Sequence, residues 1–126
     1  AIPHLLECGG NVVNVASNGG LMGQAYTVPY CASKGAVVNM TKALAMEFVK
    51  TDIRFNTVAP GGMMTGLTEN FVLPADIDFD LVGPYMGFRG MAEPETAANA
   101  ICWVASDEAA RCNGAVISVD GGLTAG

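Results

Sequence analysis

Three short β-rich runs alternate with two helical segments along this chain, and this alternation restricts its fold more than any other feature. The β-rich runs are residues 10–17, 53–58 and 115–119, and the helical segments cover about 30–50 and 94–105. Each helical segment begins at a proline, which is favoured at the first helical position because no amide partner is lost there. Strands separated by helices are typical of a parallel sheet with right-handed crossovers. We therefore expect an α/β fold built on a three-stranded parallel sheet.

Size and charge exclude several classes of protein. With 126 residues, the chain is long enough for one domain and too short for two of ordinary size. The formal net charge is -6, and the six Lys and Arg residues are scattered, so no basic stripe is present for nucleic acid or an anionic membrane surface. No apolar run reaches membrane-spanning length, and no signal-peptide pattern is present. We expect a cytoplasmic globular protein with no nucleic-acid or membrane partner.

The cysteines do not have the spacing of a metal site. Cys8, Cys31, Cys102 and Cys112 include no C-x-x-C pair, and His4 is the only histidine. This pattern favours reduced thiols in a cytoplasmic protein, and we expect no bound metal.

The residues with the clearest chemical meaning are Ser17, Tyr30 and Lys34. Ser17 ends the first β-rich run, and Tyr30 and Lys34 lie four residues apart at the start of the first helical segment, where that spacing puts them on one helix face. The ammonium of Lys34 and the helix N-terminus both favour release of the phenolic proton. Such a trio can protonate a carbonyl oxygen while hydride arrives at its carbon, or run in reverse to oxidise an alcohol. A lone tyrosine at a helix start is by default a packing residue, but its register with Ser17 and Lys34 favours a catalytic role.

Four motifs then match one family in order and spacing. They are Asn-Val-Ala-Ser ending at Ser17, Tyr-Cys-Ala-Ser-Lys beginning at Tyr30, Ile-Arg-Phe-Asn-Thr-Val-Ala-Pro-Gly ending at Gly61, and Val-Asp-Gly-Gly ending at Gly122. Together they resemble the C-terminal half of a short-chain dehydrogenase/reductase over nearly the whole chain, and Pro60-Gly61 followed by Thr65 adds a fifth match. The resemblance implies that residues 1–126 are the C-terminal catalytic portion of one Rossmann-like domain with a doubly wound parallel sheet. The family's N-terminal dinucleotide-binding half is absent from this chain.

The same resemblance implies an activity. It points to an NAD(P)-dependent oxidoreductase that interconverts a secondary alcohol and a ketone, with Tyr30 as general acid/base and Ser17 donating to the substrate oxygen. Lys34 would also bind the nicotinamide ribose. The residues implied to contact the cofactor, NAD or NADP, are Tyr30, Lys34, Pro60, Gly61, Met63 and Thr65.

Assembly and an alternative function also follow from the resemblance. In the family, the long helix and the last helix and strand pack against other subunits, so a homotetramer or homodimer is implied. The alternative is a non-catalytic fragment or interaction module that keeps the motifs but lacks the cofactor-binding half. The chain by itself is expected to be inactive.

A glycine-rich run follows Ser17 and needs its own interpretation. Residues 19–23 lie between a strand and a helix, as a dinucleotide fingerprint would, but Asn18 stands where its first glycine belongs and no acidic residue follows at the expected distance. We interpret the run as the substrate-side loop. Gln24 is either a substrate contact or a solvated loop amide.

Residues 63–90 form a long irregular stretch. A loop of this length in a compact domain is usually a lid or a binding loop. Thr65 is either a cofactor contact or an ordinary loop threonine. Five apolar residues of this stretch either form an apolar wall for the substrate or make core or subunit contacts. They are Met63, Met64, Phe71, Met86 and Phe88.

Overall fold

The alternation of helices and strands is present in the computed structural model, which describes residues 1–70 and 74–126. The elements are α1 (Ile2–Cys8), β1 (Asn11–Val15), α2 (Val28–Glu47), β2 (Arg54–Pro60), α3 (Gly66–Glu69), α4 (Phe79–Val82), α5 (Pro94–Ala105) and β3 (Val116–Val119). Short 3-10 turns lie at Asn18–Gly20, Gly83–Tyr85 and Asp107–Ala109. No helix within the described ranges is both long and apolar enough to cross a membrane.

The three strands form one parallel sheet in the order β1-β2-β3, which confirms the expected α/β class. Val13 lies opposite Asn56, and Val58 lies opposite Ile117. Among the described residues β1 pairs only with β2, and Val15 on β1 is 45% exposed. The outer edge of β1 therefore carries backbone groups that a further strand could pair with.

Helix α2 is fixed over the sheet by a small apolar core. Ala45 of α2 packs with Ile53 and Phe55, and the Phe48 and Phe55 ring centroids are 5.7 Å apart. Because α2 follows β1 in a crossover, its N-terminal end lies at the carboxyl ends of the strands, where α/β proteins bind their ligands.

A polar contact supports the same arrangement. Thr41 of α2 is fully buried, accepts a hydrogen bond from Asn14 Nδ2 at 2.9 Å and donates to Val37 O at 2.7 Å. This pair joins the middle of α2 to β1. The helix therefore has a fixed position relative to the strand that leads to Ser17.

Arg54, at the start of β2, joins the sheet to the end of α5. Its guanidinium donates to the carbonyl oxygens of Val104, Ser106, Ala109 and Cys112 over 3.0–3.3 Å. A cation is favoured where helix carbonyls lack partners. The arginine of the Ile-Arg-Phe-Asn motif therefore has a structural role that its position in a strand did not reveal.

The long segment after β2 has more local structure than its sequence indicated. It contains α3, α4 and the turn Gly83–Tyr85, and its two ends meet where Met63 and Ala92 form an isolated parallel β-bridge. Phe71, which we suggested for the substrate wall, lies outside the described residues.

Candidate active site

A cleft of about 290 Å³ opens at the carboxyl ends of β1 and β2. It brings together most of the residues that the sequence singled out, although Lys34 is not part of its surface. The lining residues are Ala16, Ser17, Asn18, Gln24, Tyr30, Pro60, Gly61, Gly62, Met63, Thr65, Thr68 and Tyr85.

Tyr30 and Lys34 lie on one side of this cleft, in the first turns of α2. The Tyr30 side chain is 39% exposed, and Lys34 Nζ lies 5.8 Å from the centroid of its ring. Lys34 Nζ also donates to Val15 O at 3.5 Å. The ammonium is thus held between the end of β1 and the tyrosine ring, where its charge acts on the ring and on the space beside it.

Ser17 lies two residues beyond β1 and is buried. Its Oγ donates to Asn18 Oδ1 at 3.1 Å and accepts from the amide of Gly19 at 3.1 Å. Asn18 Oδ1 also accepts from Gln24 Nε2 at 3.2 Å. One buried amide oxygen therefore holds both the serine hydroxyl and the glutamine that we considered as a substrate contact.

The glycines after Ser17 allow this loop to lie against α2. A Cβ atom on Gly19 would be 3.1 Å from Tyr30 Cε1, and one on Gly20 would be 2.7 Å from the carbonyl carbon of Lys34. The distance at Gly20 is shorter than real Cβ atoms ever show, and the distance at Gly19 is shorter than most real Cβ contacts. At Gly19 and Gly20 the loop is thus in close contact with the helix that carries Tyr30.

The end of β2 forms the opposite wall. The amide of Gly61 donates to Val119 O at 3.0 Å, and a Cβ atom there would lie 2.9 Å from Asp120 Cα, so only glycine fits this position. Thr65 is held by its neighbour, because its amide donates to Thr68 Oγ1 at 3.0 Å. Pro60, Gly61 and Thr65 therefore face the cleft from a well-connected turn.

Of the suggested apolar wall residues that the structure describes, Met63 alone lines this cleft. Met64, Met86 and Phe88 are 53%, 63% and 88% exposed and are not part of its surface. These residues were suggested because of their residue type alone, and residue type does not show where a side chain in a loop will lie.

Three polar cleft residues were not anticipated as site residues, namely Asn18, Thr68 and Tyr85. Asn18 could have been found from its place directly after Ser17. Tyr85 comes from the irregular segment, and its Oη donates to Ala25 O at 2.6 Å. Burial raises the pKa of the Tyr85 phenol, and the neighbouring Tyr26 and Cys31 raise it further.

The charge of the cleft suits a neutral ring with an amide group. None of the lining residues that the structure describes is acidic or basic, while hydroxyl and amide groups are present on both walls. The reduced nicotinamide has this character, so the residues present fit the reactive end of a reduced dinucleotide cofactor. Across the described ranges, no cluster of three His, Cys, Asp or Glu residues could hold a metal ion.

Comparison with known proteins places the chain among redox enzymes. A family model described as "Enoyl-(Acyl carrier protein) reductase" matches residues 1–124. The meso-2,3-butanediol dehydrogenase of Serratia marcescens is 42% identical over 125 residues, which are 99% of this chain and 49% of that protein. The chain spans about half the length of the curated relatives it matches, and the matched part is their C-terminal half.

Solved structures give the same result. A short chain dehydrogenase from Mycobacterium paratuberculosis bound to NAD has a TM-score of 0.83 and 31% identity, covering 100% of this chain and 50% of that one. The structure of ElxO with NADP bound also has a TM-score of 0.83, with 28% identity, covering 99% of this chain and 51% of that one.

Proposed function

This chain belongs to the short-chain dehydrogenase/reductase family, and we propose that it forms the catalytic half of an NAD- or NADP-dependent oxidoreductase that interconverts a secondary alcohol and a ketone. The observation that carries the proposal is the meeting of Ser17, Tyr30 and the turn 60–65 at one neutral cleft, with the Lys34 ammonium beside the tyrosine ring. Relatives solved with NAD and with NADP support both cofactors. The relative named for meso-2,3-butanediol supports a secondary alcohol, because both hydroxyls of that diol are on secondary carbons.

Tyr30 acts as the proton carrier in this proposal. Its ring forms part of the cleft wall, so a substrate oxygen in the cleft can reach the phenol. During oxidation the alcohol oxygen gives its proton to the ionised phenol, and during reduction the phenol returns a proton to the carbonyl oxygen. The ammonium of Lys34 lies 5.8 Å from the centroid of the Tyr30 ring, so a positive charge stands next to the proton carrier.

Ser17 holds the substrate oxygen. Its hydroxyl hydrogen now points to Asn18 Oδ1, and a rotation about the Cβ–Oγ bond redirects it to a substrate oxygen in the cleft. The amide of Gly19, which donates to the same Oγ, polarises the hydroxyl and strengthens that donation. Donation to an oxygen that gains negative charge lowers the barrier.

The cofactor residues would be Tyr30, Lys34, Pro60, Gly61, Met63 and Thr65. The nicotinamide, when bound, supplies or accepts the hydride at the substrate carbon. Lys34 would bind the ribose through its ammonium, and the turn 60–65 would hold the nicotinamide ring against the cleft.

The direct test follows the hydrogen atom. In the full-length polypeptide that carries this chain, a secondary alcohol deuterated at its carbinol carbon is oxidised with NAD or NADP, and the nicotinamide product is analysed by mass spectrometry. We expect deuterium in the reduced nicotinamide. Reduced nicotinamide without deuterium, or no turnover of any secondary or primary alcohol with both cofactors, would overturn the proposal.

Residues 1–126 form only the catalytic portion of the domain in this proposal. The pyrophosphate and adenosine would be bound by the portion of the domain that corresponds to the N-terminal half of the relatives. Loss of remote binding contacts costs both affinity and rate, so a polypeptide limited to residues 1–126 is expected to bind neither cofactor. Calorimetry tests this, and a saturable micromolar isotherm from a monodisperse sample would support instead a self-sufficient module.

A second copy of the chain is the proposed partner besides the small alcohol or ketone. The outer face of α2 leaves Val28, Met40 and Met46 74%, 50% and 71% exposed. Apolar side chains this exposed on a long helix are typical of a surface covered in an assembly. We expect the full-length polypeptide to form a homodimer or homotetramer. Light scattering that shows it to be a monomer at micromolar concentration would contradict this expectation. A cytoplasmic location stays a prediction.

A further inference from the structure

Two tyrosine hydroxyls join the loop before α2 to the segment that contains α4. Tyr26 Oη accepts a hydrogen bond from the amide of Asp78 at 2.9 Å, and Tyr85 Oη donates to Ala25 O at 2.6 Å. Each tyrosine thus bonds to the backbone of the segment that carries the other. We call this pair, Tyr26 and Tyr85 with their two hydrogen bonds, the tyrosine clasp.

The clasp forms a second cleft of about 460 Å³ beside the first. Gln24, Tyr30, Thr68 and Tyr85 line both clefts, so the second cleft is a side chamber of the catalytic one. Tyr26, Thr27 and Pro29 complete its surface. Its volume lies within the usual range of small-molecule pockets, roughly 300–1,000 Å³.

The chemistry of this chamber is apolar. The lining residues that the structure describes include no acidic or basic side chain, and three of the seven are tyrosines. The Tyr85 hydroxyl donates to a backbone carbonyl and the Tyr26 oxygen accepts from a backbone amide, so both aromatic rings are held in the chamber wall. A tyrosine phenol is protonated at neutral pH, and burial raises the pKa of Tyr85 further, so its clasp bond keeps the donated hydrogen.

The backbone at Tyr26 supports a positioning role. Its φ is 65°, and among the described residues it is the only non-glycine residue with positive φ. This conformation is unfavourable for an L-residue, and such strain persists where surrounding contacts hold it. The bond from Asp78 is one such contact, and it fixes the Tyr26 ring in the chamber wall.

We propose that the chamber behind the tyrosine clasp binds an uncharged carbon ring of the substrate, so that the preferred substrates are ring-bearing secondary alcohols and their ketones. This inference rests on the proposed function. A rigid ring buries apolar area against Tyr26, Pro29 and Tyr85 with little loss of conformational entropy. A carboxylate would lose its hydration in the chamber without gaining a cation, so anionic alcohols are disfavoured there.

The first measurement compares three alcohols with the full-length polypeptide. We expect kcat/KM for cyclohexanol to exceed that for 2-propanol and for lactate by at least about 100-fold, because the ring adds several buried carbons. Equal values, or a preference for 2-propanol or lactate, would overturn the ring assignment while leaving the proposed function intact. Absence of turnover with any alcohol would overturn the proposed function itself.

Variants then assign the preference to the clasp. Tyr85→Leu is expected to lower the ratio of kcat/KM for cyclohexanol to that for 2-propanol by at least about tenfold, chiefly through KM, because the ring contact is made in the ground state too. Tyr85→Phe keeps the ring and is expected to retain most of the ratio. Phe88→Leu is the matched control, since Phe88 is 88% exposed in the same segment and lines neither cleft.

An unchanged ratio in Tyr85→Leu, or an equal loss in Phe88→Leu, would show that the clasp does not hold the ring. Tyr26→Leu provides an independent variant on the other segment if Tyr85→Leu does not fold. We expect the same loss of ratio from it, and an unchanged ratio there would count equally against the clasp.

Discussion

The backbone of Lys34 lies so close to Gly20 that a Cβ atom on this glycine would be 2.7 Å from both the carbonyl carbon and the carbonyl oxygen of Lys34. The loop that follows Ser17 is thereby fixed directly against the helix that carries Tyr30. The relative position of the serine, the tyrosine and the lysine depends on this contact between two stretches of backbone, which cannot move aside as a flexible side chain can.

Replacement of Gly20 is therefore expected to damage both stability and activity. We expect Gly20→Ala to lower the free energy of unfolding by about 1–3 kcal/mol, the usual cost of overpacking, and to lower kcat because Ser17 moves away from Tyr30. Gly23→Ala is the matched control, since a Cβ atom there meets nothing within 4 Å. Denaturant unfolding and steady-state kinetics of the two variants provide the comparison, and equal stability would contradict the importance of this contact.

Lys34→Ala is expected to weaken cofactor binding and to slow turnover together. A hydrogen bond to a charged group contributes about 1.5–3 kcal/mol, so the Kd for NADH or NADPH should rise by roughly 10- to 150-fold. Calorimetric titration of the full-length polypeptide measures this change. Lys42→Ala removes an exposed lysine two turns further along α2 and should leave the Kd unchanged. If the two variants bind the cofactor equally well, Lys34 has no role at the ribose.

The Asp120 carboxyl makes the free energy of unfolding depend on pH in the acidic range. Burial alone would raise its pKa, but hydrogen bonds from the Thr124 hydroxyl and from the Gly122, Thr124 and Leu123 amides hold that pKa below its usual 3.8. A carboxyl group with a lowered folded-state pKa stabilises the fold above its unfolded pKa and loses that contribution as the pH falls through the folded value.

Asp120→Asn tests this dependence. The difference in free energy of unfolding between wild type and variant should be constant above about pH 5 and should shrink below pH 3.8. Unfolding titrations at several pH values measure it. A difference that instead grows on acidification would mean that the carboxylate is not the stabilised form.

Much of the fold could be predicted because it depends on local signals. The helix predicted to begin at Pro94 has the observed bounds of α5, and the β-rich runs predicted the three strands to within two residues at each end. Ser17 and Pro60 lie at one edge of the sheet because each stands at the carboxyl end of a parallel strand, and such ends meet at the same edge.

The rest of the site depends on contacts between distant segments. Tyr85 reaches Ala25 across 60 residues of sequence, and Arg54 reaches carbonyls more than 50 residues away. No periodicity or turn signal encodes such pairs. Asn18 directly follows Ser17, so its presence near the site could have been inferred from the sequence, but its contacts with Ser17 and Gln24 depend on the orientation of its side chain.

The central proposal is that Tyr30 transfers the proton, and Tyr30→Phe in the full-length polypeptide tests it most directly. Only the phenolic hydroxyl is lost, while the ring and its packing remain, so we expect kcat to fall by about 10²- to 10⁴-fold and the Kd for the cofactor to change little. Ser33→Ala, which removes an exposed hydroxyl from the same helix, is the control and should keep wild-type kcat. Turnover of Tyr30→Phe at the wild-type rate would contradict the assignment of Tyr30 as the general acid/base.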